Sequence, residues 1–156
     1  MTPNKTQLAE TAKRAEFSKA TEAVSALGAF PSLCNEEALF EIRTNGDWFY
    51  RDSPLPVKFC KLFSSILNRI DNQYFLITPV EKLRVAVVQQ ALVIVDYTCH
   101  PDGPFALKSS IDTEHLIANF EQFIIGEESV TLTLDRGIMA KLNRACFYRF
   151  INEFVV

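Results

Sequence analysis

The dipeptide Asn45-Gly46, between two short runs that alternate apolar and polar side chains, constrains this chain more than any other feature. Asn and Gly best tolerate the positive φ angles of a two-residue type I′ turn, so the pair predicts a β-hairpin. A two-residue loop sets Arg43 opposite Trp48 and Glu41 opposite Tyr50. Three residues then point towards a core: Phe40, Ile42 and Phe49. The rings of Trp48 and Tyr50 are left on the solvent face, where large aromatic side chains often mark interfaces.

The segment after the hairpin predicts an amphipathic helix over residues 57–70. Its apolar residues recur at three- and four-residue spacing, which gives a helix one buried stripe. That stripe consists of Phe59, Cys60, Phe63, Ile66, Leu67 and Ile70. An isolated hairpin is only marginally stable in water, so we expect this helix to cover it. Asp71-Asn72 would end the helix, and residues 74–78 would return as a strand.

An N-terminal helix is predicted over residues 4–27, with Gly28 at the position that stops it. The second half of the chain has the pattern of strands bounded by turn residues. These strands cover residues 80–88, 91–99, 105–110 and 130–134. Residues 111–125 fit either a helical stripe or short strands, and the pattern leaves both open. An apolar face from Ile138 to Phe154 predicts a last helix, so the second half echoes the strand-then-helix order of the first.

Composition excludes several classes of partner. The net charge of −3 and the pI of about 5.4 provide no basic field for nucleic acid or an anionic membrane. No apolar run is long enough to span a bilayer and the N-terminus is polar, so we expect a cytoplasmic protein. The four cysteines are far apart in sequence, which favours reduced thiols over disulfides or a zinc site. We therefore predict no cofactor.

No motif in the sequence predicts catalysis. The phosphate-binding loop, the dinucleotide fingerprint and the nucleophile elbow are all absent. His100 and His115 lack metal-ligand spacing, and a structural role explains both. By periodicity Cys60 and Cys146 lie on the buried faces of helices, where a thiol is a poor nucleophile. We predict that the chain is not an enzyme and assign no catalytic or metal-binding residue.

A binding site is predicted where five side chains are expected to converge: Trp48, Tyr50, Glu81, Lys82 and Arg84. Aromatic platforms with a few charges suit an anionic or peptide ligand. Two alternatives stay open. Glu81 could pair with Arg43, Arg84 or a backbone amide, and the two rings could be covered by the N-terminal helix or the second lobe.

Basic residues on the two predicted helices form a second set that could meet acidic partners or phosphates. Solvated helix faces explain them equally in an acidic chain. The set consists of Lys58, Lys61, Arg69, Arg136, Lys141, Arg144 and Arg149.

Several runs of sequence resemble a bacterial family of unknown function, DUF1285. They are GDWFYRDSPLPV, LFSSIL, YFLITPVEK and LTLDRGIMAKLNRACFYRF, within roughly residues 40–150. The resemblance implies an α+β fold of two similar half-barrel lobes of antiparallel strands, each complemented by a long helix. It favours strands over helix in residues 111–125, and it suggests a part in signal transduction. The chain departs from the family pattern before the first strand and around Gln89.

The predicted organisation is an N-terminal helix and loop (residues 1–38), a first α+β lobe (residues 39–90) and a second (residues 91–156), interlocked as one unit. The predicted function is a non-catalytic regulatory module that binds an unknown small ligand or protein in a cleft between the lobes. The alternative is a homodimer or other homo-oligomer that buries the exposed aromatic face of the hairpin. An uncharacterised enzyme ranks third.

Overall fold

The computed structural model describes residues 19–20, 22–23, 38–101 and 103–155. Residues 19–20 and 22–23 are helical, while the rest of the predicted N-terminal helix and its stop at Gly28 lie outside the described residues. In the described part, twelve strands and two α-helices form the fold.

The strands of the first half are β1 (Phe40–Ile42), β2 (Trp48–Tyr50), β3 (Ser53–Pro54), β4 (Leu67–Ile70), β5 (Gln73–Ile77) and β6 (Lys82–Val87). Those of the second half are β7 (Leu92–Cys99), β8 (Phe105–Ser109), β9 (Glu114–Ile117), β10 (Phe123–Ile125), β11 (Val130–Thr133) and β12 (Met139–Leu142). The helices are α1 (Val57–Ser64) and α2 (Arg144–Phe154), and two 3-10 turns cover Phe120–Gln122 and Asp135–Gly137.

The two halves form six-stranded sheets with the same connectivity. The strand orders are β3-β2-β1-β6-β5-β4 and β10-β11-β12-β7-β8-β9. Each sheet joins two antiparallel three-stranded meanders through one central parallel pair, β1 with β6 and β7 with β12. The first lobe is the first sheet with α1, and the second lobe is the second sheet with α2. The echo between the halves is therefore present in the topology, although α1 lies between its meanders and α2 follows both of them.

Chain connectivity requires the second sheet to curl. The edge strands β9 and β10 are joined by residues 118–122, which span at most about 20 Å. In a flat sheet these edges would lie about 24 Å apart sideways, and the joined ends would also be offset along the strands. The sheet must therefore bend its edges towards each other. In the first lobe α1 makes the corresponding connection, from β3 to β4. This architecture is consistent with the α+β half-barrel class that the resemblance implies.

One helix fills the concave side of each sheet. In the first lobe the ring of Phe63, on α1, lies 5.4 Å from Phe40 and 6.3 Å from Trp48. In the second lobe the ring of Phe150, on α2, lies 5.9 Å from Tyr97 and 4.8 Å from Phe123. Phe63 and Phe150 are both fully buried. The helices have 8 and 11 residues, so they are shorter than the long helices that were predicted.

The predicted hairpin register is wrong by one residue. The chain does turn at Asn45-Gly46, but Ile42 pairs with Trp48 and Phe40 with Tyr50. The loop has three residues, 44–46. The Arg43 carbonyl accepts from the Gly46 N–H, and the Arg43 N–H donates to the Asp47 carbonyl. Of the pair Asn45-Gly46, only Gly46 has positive φ. Because strand side chains alternate between faces, this shift exchanges the two faces of β2.

Two predicted helices are too long, because each includes a strand. Helix α1 ends at Ser64, and Asp71 and Asn72, both with positive φ, form the two-residue turn of the β4–β5 hairpin. The type I′ signal therefore applies at this second turn. At the other end β12 replaces the first turn of the predicted last helix, and α2 begins after Asn143, whose side chain accepts from the Cys146 N–H. Residues 111–125 contain β9 and β10, as the resemblance implied.

Candidate functional site

The five predicted site residues do not come together. Trp48 and Tyr50 lie on the inner face of the first sheet, whereas Lys82 and Arg84 project from the outer face of β6, where exposed and buried residues alternate. Trp48 is only 1% exposed, so the prediction that its indole faces solvent is wrong. The ring of Phe63 packs against it, and Tyr50 packs on Phe40 with ring centroids 4.9 Å apart. The aromatic platform is part of the core.

Glu81 lies in the turn before β6, and its backbone explains its position. Thr78 donates its N–H to the Glu81 carbonyl at 2.9 Å, and the Glu81 N–H donates to Thr78 Oγ1 at 3.0 Å. Both carboxylate oxygens are shielded from solvent and accept no hydrogen bond, so the alternative of a pair with Arg43 or Arg84 is wrong. Arg43 instead donates to Glu41 at 2.7 Å. Burial raises the pKa of Glu81, because the charged form loses its hydration.

The two basic members of the set have separate environments. The Lys82 ammonium lies 4.3 Å from the centre of the Phe75 ring, a cation–π contact on the outer face of the sheet. Arg84 lines a cleft together with Arg69 of β4. Lys82 and Arg84 thus remain accessible, but neither faces Trp48.

Hydrogen bonds between a side chain of one lobe and the backbone of the other join the two lobes. The Met139 N–H, at the start of β12, donates to the Tyr74 hydroxyl of β5 at 3.0 Å. The Arg136 guanidinium donates to the carbonyls of Ser64 and Ser65, where α1 ends. The last carbonyls of a helix lack partners within the helix and carry partial negative charge, so a cation there satisfies them.

A cleft of about 700 Å³ lies where the β1–β2 hairpin meets the second lobe. We call it the hairpin cleft. Thr44 and Asn45 supply one wall, and the second sheet, the β10–β11 turn and the start of α2 supply the others. Its remaining lining residues are Val93, Val95, Ser110, Glu127, Glu128, Lys141, Leu142, Asn143, Arg144, Phe147 and Tyr148.

The tip of the hairpin contacts the second sheet beside this cleft. Gly46 has φ +89, and a Cβ there would lie 2.6 Å from Ser110 Oγ and 3.2 Å from Val93 Cγ2. Only glycine combines that φ with so close an approach. Ser110 Oγ is itself shielded and has no hydrogen-bond partner. Buried hydroxyls are normally paired, so Ser110 is an exception at this contact between the lobes.

Sequence reasoning predicted a cleft between lobes but assigned other residues to it. Lys141, Arg144, Phe147 and Tyr148 all belong to the last family-like run, yet only the two basic residues had been considered for binding, and solvation explained them equally. The pattern of aromatic and basic residues at the start of α2 was the available signal. No local signal could place Thr44 and Asn45 against them, because the contact joins distant parts of the chain.

Both histidines of the chain lie in the second lobe. His115 Nε2 lies 2.9 Å from Thr113 Oγ1, and burial with the nearby Arg136 charge lowers its pKa. Glu81, whose pKa is raised, lies in the first lobe, whereas His100 and His115 lie in the second.

Among the described residues no three His, Cys, Asp or Glu side chains group as a metal site would require. Within the same part of the chain, no helix has the length and apolar character needed to cross a membrane.

Comparisons with known proteins find one family. The model of the DUF1285 N-terminal domain, a domain of unknown function, matches residues 30–90. A DUF1285 family protein from Shewanella baltica is 48% identical, with a TM-score of 0.72 over 77% of this chain and 95% of that one. One from Silicibacter pomeroyi is 23% identical, with a TM-score of 0.66 over 79% of this chain and 72% of that one, and shares the fold. No curated protein matches the sequence.

Proposed function

Because this chain belongs to the DUF1285 family, whose function is unknown, we propose from its own geometry that it is a non-catalytic binding module with a ligand in the hairpin cleft. The observation that carries the proposal is a cavity of about 700 Å³ with walls from both lobes. Small-molecule sites typically measure roughly 300–1,000 Å³ and often lie where two units meet. The signal-transduction role and the cytoplasmic location predicted from the sequence belong to the same proposal.

The lining favours a ligand with an apolar body and charged or polar ends. Val95 and Tyr148, 38% and 54% exposed, offer apolar and aromatic surface that a ligand would cover. Lys141 of β12 supplies a cation, and Glu127 supplies an anion from the β10–β11 turn. A few polar groups around an apolar surface are how binding sites orient a ligand.

Nuclear magnetic resonance of the methyl groups tests the position of the site. A fragment set of aromatic acids and amines is titrated into the full chain, and the Val93 and Val95 methyl signals should shift with a common dissociation constant. The proposal would be contradicted if the fragments shift only the signals of methyl groups outside the hairpin cleft.

Variants test the chemistry of the same site. Tyr148→Ala and Val95→Asp should each weaken fragment binding by about tenfold. The first removes apolar surface and the second adds a charge to it, and burial of that surface contributes about 1–2 kcal/mol to binding. Val88→Asp is the matched control, because Val88 is 61% exposed and lies outside the lining of the hairpin cleft. Equal losses in Val88→Asp and Val95→Asp would show that added charge, rather than the cleft, causes the effect.

A specific observation supports a homo-oligomer as the second candidate. Trp48 is buried, so the aromatic face of the hairpin cannot form the subunit interface that was predicted from the sequence. The edge strands of the second sheet, however, expose apolar side chains. Leu116 of β9 is 77% exposed and Ile124 of β10 is 59% exposed. Light scattering during gel filtration tests this candidate: a dimer that Ile124→Asp converts to monomer supports it, and a monomeric wild type contradicts it.

A further inference from the structure

A second cleft, of about 520 Å³, lies between the β4–β5 hairpin and the segment from β6 to β7. We call it the arginine cleft. It shares no described lining residue with the hairpin cleft. Met139 reaches it from the second lobe. The full described lining is Ala38, Arg69, Asn72, Gln73, Tyr74, Arg84, Val85, Ala86, Val87, Gln89 and Met139.

Arg69 is the residue that points to a ligand. It is half-buried, on β4, and its guanidinium makes no ion pair and no hydrogen bond with any described residue. A guanidinium carries five N–H donors in a planar fork that matches the oxygens of a carboxylate or a phosphate. A partly buried arginine without a partner leaves those donors open to an anion that enters the cleft.

The second lobe holds Arg69 in place. Gly137 packs over it with φ +76, and a Cβ at residue 137 would lie 3.3 Å from Arg69 Cβ and 3.4 Å from Arg69 Nε. The neighbouring Arg136 fixes this turn to the end of α1 through the carbonyls of Ser64 and Ser65. Contact from a second lobe restricts a long side chain before any ligand arrives. Such pre-organisation lowers the entropy lost on binding.

The other polar groups of the cleft have complementary chemistry. Arg69 pairs with Tyr74 across the ladder and shares its face of the sheet, whereas Arg84 pairs with Phe75 on the outer face. The side-chain amides of Asn72, Gln73 and Gln89 also line the cleft and can each donate. The Tyr74 hydroxyl accepts from the Met139 N–H, and its own hydrogen has no acceptor among the described residues.

We propose that the arginine cleft binds a small anion, or a small molecule through its phosphate or carboxylate group. Arg69 would supply a bidentate contact through its guanidinium. The amide donors and the tyrosine hydroxyl around it would complete the shell. Nothing in this proposal depends on the hairpin cleft, since the two sites can be filled or disabled separately.

Calorimetric titration with inorganic phosphate, inorganic pyrophosphate and succinate tests the proposal on the full chain. The wild type should bind at least one of these probes, and the stronger class identifies phosphate or carboxylate as the preferred group. Arg69→Gln should weaken that binding by about tenfold to a hundredfold, because hydrogen bonds to charged groups are the strong ones. Arg69→Lys keeps the charge without the fork and should recover only part of the affinity.

Lys58→Gln is the matched control, because it removes one positive charge from the exposed face of α1, away from the cleft. It should bind the probe as the wild type does. Amide signals of Asn72 and Gln73 should shift during the titration, which locates binding even where Arg69→Gln lowers stability. Three results would overturn the proposal: no binding of any probe, equal losses in the control, or shifts confined to residues outside the lining.

Discussion

Replacement of Phe63 by alanine tests whether α1 covers the inner face of the first sheet, including Trp48. Phe63 is fully buried, and its ring lies 5.4 Å from Phe40, 6.3 Å from Trp48 and 6.2 Å from Phe59. Removing a ring from such a site costs the transfer free energy and leaves a cavity, about 3–5 kcal/mol in total. With a urea slope of about 2 kcal/mol/M, the unfolding midpoint of Phe63→Ala should fall by about 2 M.

The chain contains one tryptophan, so its fluorescence reports this region directly. In the folded wild type the emission of Trp48 should be blue-shifted and poorly quenched by acrylamide, because the indole is 1% exposed. Phe59→Ala is the matched control on the same helix. Phe59 is 37% exposed, so its loss should cost only about 1 kcal/mol. The reasoning fails if both variants have the same midpoint, or if acrylamide quenches the folded protein as readily as the unfolded one.

Two further substitutions test the contact between lobes and the buried carboxyl. Gly46→Ala should lower the free energy of unfolding by about 1–3 kcal/mol, because alanine disfavours positive φ and its Cβ would clash with Ser110. Gly103→Ala is the control, since Gly103 has φ +118 but a Cβ there would meet no atom within 4 Å. Equal thermal midpoints for the two variants would contradict the contact between Gly46 and the second sheet. Burial raises the pKa of Glu81, so the folded state binds its proton more tightly and stability falls as pH rises through the interval above the ordinary value. Glu81→Gln should therefore unfold at higher urea than wild type at pH 7 and lose that gain at about pH 4. Glu121→Gln, at an exposed position, is the control for the loss of one surface carboxyl group. An unchanged midpoint of Glu81→Gln at pH 7 would refute the buried-carboxyl argument.

Local sequence determined which segments turn and which faces of regular elements are buried. Positive φ tolerance placed a turn at Asn45-Gly46, and on β6 the alternation of the sequence matches buried Leu83 and Val85 between exposed Lys82 and Arg84. Helical spacing correctly buried Cys60 and Cys146. These features depend on neighbours within one turn or one strand, and those neighbours are visible in the sequence.

The ends of helices were not determined locally. Leu67 and Ile70 continue the apolar spacing of α1, yet they belong to β4 because β5 offers backbone hydrogen bonds through a two-residue turn. In the same way Met139 and Leu142 fit a helical face but pair beside β7 and β11. Backbone groups of a half-buried segment must all be satisfied, and a partner strand far along the chain satisfies them as well as a helix does.

Tertiary structure alone decided the face of Trp48 and the composition of both clefts. One residue more in the hairpin loop turns the indole from solvent into the core, and that loop also places Gly46 against Val93 and Ser110 of the second sheet. Loop length in a hairpin is chosen among turns of similar free energy, so a packing contact with a distant sheet can select it. The sequence by itself determined the individual turns and strands, and contacts between residues tens of positions apart determined the register in which the strands pair.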